Sequence, residues 1–172
     1  MKYTSAEANK LIKKIEERIS RLEIAENKGS TFNAAAGEDA EALRPEYDFA
    51  KTQAQLEELE AMMRKVKHAI NCFNTTHTLP GFDDITVDQA LVLIPQLRAR
   101  KMTLGNMVSR LPRERVEVGI RSSNIIDYVI TNYDMAEVER KYNEIGDRLS
   151  SLQVALDTLN TTETMEIDVK LD

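Results

Sequence analysis

The sequence is poor in the residue types that build covalent staples, metal clusters and stacking platforms. It has one cysteine, Cys72, which excludes an internal disulfide and suits a reducing compartment. Tryptophan is absent and aromatics make up 5% of the chain, so the core must be mostly aliphatic. No apolar run approaches the ~20 residues needed to span a bilayer. The first seven residues, Met1 to Glu7, contain no apolar signal region. These features together read as a cytoplasmic protein with no membrane partner. Positive charge is also in deficit: the formal net charge is −6, which argues against whole-surface attraction to nucleic acid or anionic lipid.

What the chain does have is hydrophobic periodicity. At 172 residues, with 42% hydrophobic and 30% charged residues, it fits a single globular domain, residues 1–172, with a sizeable core. The organising stretch is Phe49 to Phe73. Its apolar residues Leu56, Leu59, Met63, Val66, Ile70 and Phe73 step three, four, three, four, three. That 3.5-residue period keeps one stripe on one helix face and calls for a partner helix along its length. Pro45 suits the first turn, so the helix is expected over 45–73.

Ser5 is a candidate N-cap for an earlier helix over 5–27, with Ala8, Ile12, Ile15, Ile19 and Leu22 on its seam. Its polar face, with Lys13, Lys14 and Arg18 beside Glu16 and Glu23, fits a bundle helix better than a membrane-surface anchor. Lys28-Gly29-Ser30 predicts a stop in which the glycine supplies a left-handed residue. The stretch 29–44, Ala-rich with few large apolar groups, predicts a mobile loop with a short helical turn near Glu38 to Leu43. The two helices then form an antiparallel hairpin.

Pro80-Gly81 marks a connection. Thr86-Val87-Asp88-Gln89 has capping-box spacing and opens a third helix, 87–111, with Ala90, Leu93, Ile94, Leu97, Leu104, Met107, Val108 and Leu111 as its apolar set. Pro95, about two turns inside, is expected to bend the helix or move its start later. Two strands are expected next, 115–121 and 124–132, followed by a fourth helix, 134–160. Its seam is Val138, Tyr142, Ile145, Leu149, Leu152, Leu156 and Leu159, with Gly146 off the seam and open to a close neighbour. A terminal strand is expected over 164–171. The fold class is therefore mainly α: antiparallel helical hairpins or a four-helix bundle with coiled-coil-like seams, plus a small β-hairpin and a C-terminal strand.

The second and fourth helices echo each other at a spacing of 86 residues. Every seam position from Leu56 to Phe73 maps onto one from Tyr142 to Leu159. Asn-Thr-Thr-His-Thr-Leu after Phe73 is matched by Asn-Thr-Thr-Glu-Thr-Met after Leu159. The echo predicts a structural pseudo-repeat in which the two Thr-rich exits lie side by side in one small sheet.

The order of these motifs resembles a known family. A heptad helix ending Ile70-Asn71-x-x-Asn74-Thr75 is followed by Thr86-Val87-Asp88-Gln89-Ala90-Leu91, a basic helix, Tyr128, and a last helix ending Leu156-x-x-Leu159-Asn160-x-Thr162-Glu163. This is similar to the small helical bacterial family known as septicolysin-like, over about Pro45 to Ile167. The family tends to carry Trp where this chain has Thr161, and a shorter connection than Gly29 to Arg44. The resemblance implies a helical fold and no site residues. The family label implies a cytolysin, and the sequence offers neither a secretion signal nor a long uncharged amphipathic stretch to support one.

Candidate chemistry is sparse. His68 and Cys72 are four apart on one helix, with His77 beyond, but a structural zinc site needs four ligands and no second Cys or fitting carboxylate accompanies them. Cys72 with a histidine lacks a Gly-rich turn to form an oxyanion hole. Asp83-Asp84 and Glu57-Glu58 are adjacent acids and do not face one another. We therefore assign no catalytic, cofactor or metal residue. Charge asymmetry is the stronger signal. Residues 98–121 carry Arg98, Arg100, Lys101, Arg110, Arg113, Arg115 and Arg121 against Glu114 and Glu117, a net of +5 in a chain of −6. Residues 38–60 carry a net of −6. The reading that fits is a non-enzymatic interaction or scaffold protein acting as a homo-oligomer. The alternatives are a nucleic-acid or polyanion-associated protein using 98–121 and an enzyme whose site forms between subunits.

Overall fold

The computed structural model describes residues 1–115 and 127–171. The element order is β1 (Lys2–Thr4), α1 (Ser5–Gly29), α2 (Phe49–Thr76), β2 (Thr78–Leu79), β3 (Phe82–Thr86), α3 (Val87–Val108), β4 (Arg113–Arg115), β5 (Tyr128–Ile130), α4 (Met135–Thr162) and β6 (Thr164–Glu166). The fold is mainly α with small antiparallel strand pairs, as the periodicity requires. The chain divides into two compact units, Met1–His77 with Thr158–Asp172, and Thr78–Asp157.

In the first unit α1 and α2 form the expected antiparallel hairpin. The cap of α1 is Thr4, not Ser5: its hydroxyl accepts from the Glu7 amide at 3.2 Å, and Glu7 Oε2 accepts from the Thr4 amide at 2.9 Å. The reciprocal bonds satisfy two amides that the first turn leaves open. Ser5 is buried instead, alongside Ala8, Leu11 and Ile15. On α2 the fully buried residues are Leu59, Val66 and Phe73, one per heptad, flanked by half-buried Leu56, Met63 and Ile70. Phe49 is exposed, because α2 starts there, with Asp48 as N-cap accepting from the Lys51 amide. Pro45 therefore precedes the helix and does not lie in its first turn. The strand β1 pairs with β6 (Lys2 with Glu166, Thr4 with Thr164), and Met165, Ile167 and Val169 complete the unit's core.

The connection between α1 and α2 corrects one expectation. Gly29 is helical, and the glycines with positive φ among the described residues are Gly37 and Gly81. The physical reason for glycine at 29 is close approach: a Cβ there would stand 2.9 Å from the Tyr47 Cβ. The Tyr47 hydroxyl donates to Glu26 Oε1 at 2.8 Å, and Gln53 Nε2 donates to the same oxygen at 2.8 Å. Burial and the adjacent Glu26 hold the Tyr47 hydroxyl above its ordinary pKa. Residues 30–44 are all exposed and carry local turns, such as Arg44 N–H to the Glu41 carbonyl, in place of the expected helical turn.

In the second unit β2 and β3 form a hairpin around Pro80-Gly81, with Gly81 at φ 78°. This hairpin runs into α3, where Gln89 Oε1 accepts from the Thr86 amide at 3.0 Å in a second capping box, and the Thr86 hydroxyl donates to Asp88. The helix continues through Pro95 without a later start. Pro95 is exposed, and so is Leu91 one turn earlier, whose carbonyl loses its partner on the side where water can replace it. Helix α3 ends at Val108, so Leu111 lies beyond it and is exposed. Leu104, Val138 and Ile145 form a buried cluster, with Leu97, Met107, Val108, Tyr133 and Tyr142 packed on it. These contacts set α3 and α4 antiparallel. Gly105 and Gly146 leave room for bulky neighbours: a Cβ would meet the Tyr142 ring at 3.3 Å and Lys101 Nζ at 3.0 Å, respectively.

The 86-residue echo survives in burial. Leu59, Val66 and Phe73 map onto Ile145, Leu152 and Leu159, all buried, and Leu79 maps onto Met165, also buried. The expected single sheet does not form. Each Thr-rich exit pairs with a strand that leads into a capped helix: β2 with β3, and β6 with β1. A lone pair of exits would leave β1 and β3 unpaired, whereas this arrangement gives all four strands a partner.

Candidate interaction surface

The expected strands 115–121 and 124–132 lie partly outside the described residues. What is described is a ribbon of β4 and β5 with Arg113 opposite Ile130, Glu114 opposite Val129 and Arg115 opposite Tyr128. The Thr131 amide donates to the Pro112 carbonyl at 3.1 Å and closes its base. All six strand residues are exposed. Tyr128, Val129 and Ile130 are 40%, 53% and 67% exposed, so an entire apolar strand faces water. Among the described residues β5 pairs along one edge only. Two-stranded ribbons are marginal alone, and an unpaired edge is a template for another strand. On α3 of the same unit, Leu91, Val92 and Met102 are exposed as well.

Among the described residues of the basic segment, the side chains on α3 point to more than one side. Arg98 donates to Gln153 on α4 at 2.7 Å. Lys101 lies over the Tyr142 ring, 5.3 Å from its centroid. Both therefore point toward α4, while Arg100, two residues from Arg98, points to the other side of α3. Arg110 is exposed beyond the helix, and Arg113 and Arg115 share one face of β4 with Glu114 on the other. Arg121 lies outside the described residues. The pairing brings together one contact that adjacency in sequence hides: the Arg113 guanidinium stacks 3.5 Å from the Tyr128 ring centroid.

The other candidate groups stay dispersed. Cys72 Sγ lies 3.6 Å from His68 Nε2 on the exposed side of α2. His77 turns away from them: its Nδ1 is 3.0 Å from the Phe73 carbonyl and its ring stacks on Phe73 at 4.0 Å. Among the described residues no three His, Cys, Asp or Glu side chains gather as metal ligands. No helix of the described residues is long and apolar enough to cross a membrane. A further group of cations lies along α1, and its signal in the sequence is the spacing Lys10, Lys14, Arg18, Arg21.

No family model and no curated protein matches the sequence. A solved structure does: a functionally unknown conserved protein from Corynebacterium diphtheriae is similar at a TM-score of 0.59 and 17% identity, over 96% of this chain and 100% of that one. At that identity the likeness establishes a shared fold.

Proposed function

We propose that this is a non-enzymatic interaction protein that associates with a second copy of itself through the outer edge of β5. The observation that carries the reading is the exposed apolar strand Tyr128-Val129-Ile130. An antiparallel, two-fold pairing of β5 with its counterpart sets Val129 against Val129 and Tyr128 against Ile130, all favourable cross-strand neighbours. The same operation on β4 sets Glu114 against Glu114, which is unfavourable, so β5 is the edge the chemistry selects. A cytoplasmic setting suits the single exposed cysteine. Kinship with the septicolysin-like family belongs to this reading and rests on the residues quoted above.

Polyanion binding by 98–121 has one supporting observation, the Arg113–Tyr128 stack, which presents a cation beside an aromatic face. It ranks second because Arg98 and Lys101 are turned toward α4. Light scattering coupled to size-exclusion chromatography decides the first reading. The expected result is a dimer that becomes monomeric on Val129→Glu, with helix content unchanged by circular dichroism. A wild-type chain that stays monomeric at high concentration overturns it.

A further inference from the structure

The first unit carries a basic groove that the bulk charge of the chain conceals. Two cavities, of about 420 and 400 Å³, meet at Arg18 and Leu171. Their walls hold six cations: Lys10, Lys14, Arg18 and Arg21 from α1, Lys2 from β1, and Lys170 beyond β6. The described lining includes two carboxylates, Glu7 and Glu58. Glu7 is already tied into the α1 capping box. Over the described residues the lining carries six cations and two carboxylates, +4 in a chain whose total is −6, with Arg18 already engaged by a partner of its own. Concentrating the minority charge in one place costs mutual repulsion among the cations, and a bound anion relieves it.

The spacing says what kind of anion. Lys10, Lys14, Arg18 and Arg21 recur every three to four residues, so they form one line along α1 over ~16 Å, with successive members about 5–6 Å apart. Leu11, Leu22 and Leu59 floor the groove between them. A single carboxylate matches one cation and wastes the line. A phosphate group carries about two negative charges and three acceptor oxygens. Arginine meets it bidentately and lysine as a point charge. Tyr3 is the single aromatic in the lining, so there is no succession of rings on which bases would stack. We infer that this groove binds a ligand bearing two or more phosphate groups, a compact polyphosphate and not a nucleic-acid strand. The site is independent of the β5 edge.

The test is titration calorimetry of the full chain with inorganic tripolyphosphate in 50 mM salt, beside flotation with vesicles containing a phosphoinositide bisphosphate. Saturable tripolyphosphate binding, weakened about tenfold or more by Lys14→Gln with Arg21→Gln, supports a soluble ligand. Vesicle binding with the same sensitivity, and no tripolyphosphate binding, assigns the phosphates to a lipid headgroup. Lys65→Gln with Lys67→Gln, on the exposed side of α2, should change neither signal. Three outcomes overturn the inference: no binding of either probe, equal weakening by both double variants, or tighter binding of single-stranded RNA than of tripolyphosphate. The substituted residues are exposed, so unfolding does not confuse the result, and the dimer test above can fail without touching this one.

Discussion

After the capping box Thr4–Glu7, α1 runs with a line of cations beside its buried face; after the capping box Thr86–Gln89, α3 runs with Leu91 and Val92 open to water and leads on to the apolar ribbon. The two units share a plan. A strand enters a capped helix, that helix packs antiparallel on a long heptad helix, and a two-stranded sheet closes the start. The long helices bury equivalent positions 86 residues apart. What differs lies off the seams: a line of cations along α1 in the first unit, more exposed apolar side chains in the second. The comparison teaches that the repeated part holds the fold, and that the part which varies is where function is to be sought.

The sharpest way to break the comparison is to remove one buried seam residue from each unit. Ile15 and Leu152 are both completely buried, and truncating either to alanine should cost ~2–5 kcal/mol in urea-induced unfolding. If the seams hold the two units equally, the two losses fall in the same range and Val154→Ala, at an exposed position, is near neutral. A loss under ~1 kcal/mol at one site and not the other would show that the units do not share their means of support.

The helix joints should separate them next. Gly29→Ala drives a methyl to within 2.9 Å of Tyr47, while Gly105→Ala meets the edge of the Tyr142 ring at 3.3 Å. The first should destabilise by ~1–3 kcal/mol and the second by less, since a ring edge can shift a few tenths of an ångström. Thermal unfolding of both variants reads the difference. The smallest effect expected is at the caps. Thr4→Ala should cost ~1 kcal/mol, and Thr86→Ala less than that, because the Thr86 hydroxyl is directed to Asp88. Equal losses at the two threonines would remove the distinction between the caps.

The four helices were legible because heptad spacing writes burial into the chain: Leu59, Val66, Ile145 and Leu152 all lie where the period puts them. Boundaries followed less well, since a cap depends on one hydroxyl and neighbouring candidates compete; Thr4 wins over Ser5 because Glu7 stands at the reciprocal spacing. The role of Gly29 was hidden, because a glycine required by a neighbour looks the same in sequence as one required by its own backbone. The strands β1 and β3 are too short to show a period, and their partners come from distant parts of the chain. The candidate surfaces were the least legible. Residues 98–101 are basic as a string but point to two sides once wound on α3, whereas the α1 cations become a group only when β1 and the residues after β6 bring in Lys2 and Lys170.

The pairing of β1 with β6 has a topological consequence. Met1 and Ile167 exchange hydrogen bonds in both directions, 3.1 and 2.9 Å, in the position that the turn at Pro80-Gly81 occupies between β2 and β3. The two sheets are thus interchangeable as places to open or close the polypeptide. A permuted chain, bridged from beyond β6 to β1 and cut at Pro80-Gly81, would retain every helix and strand pairing while beginning at β3.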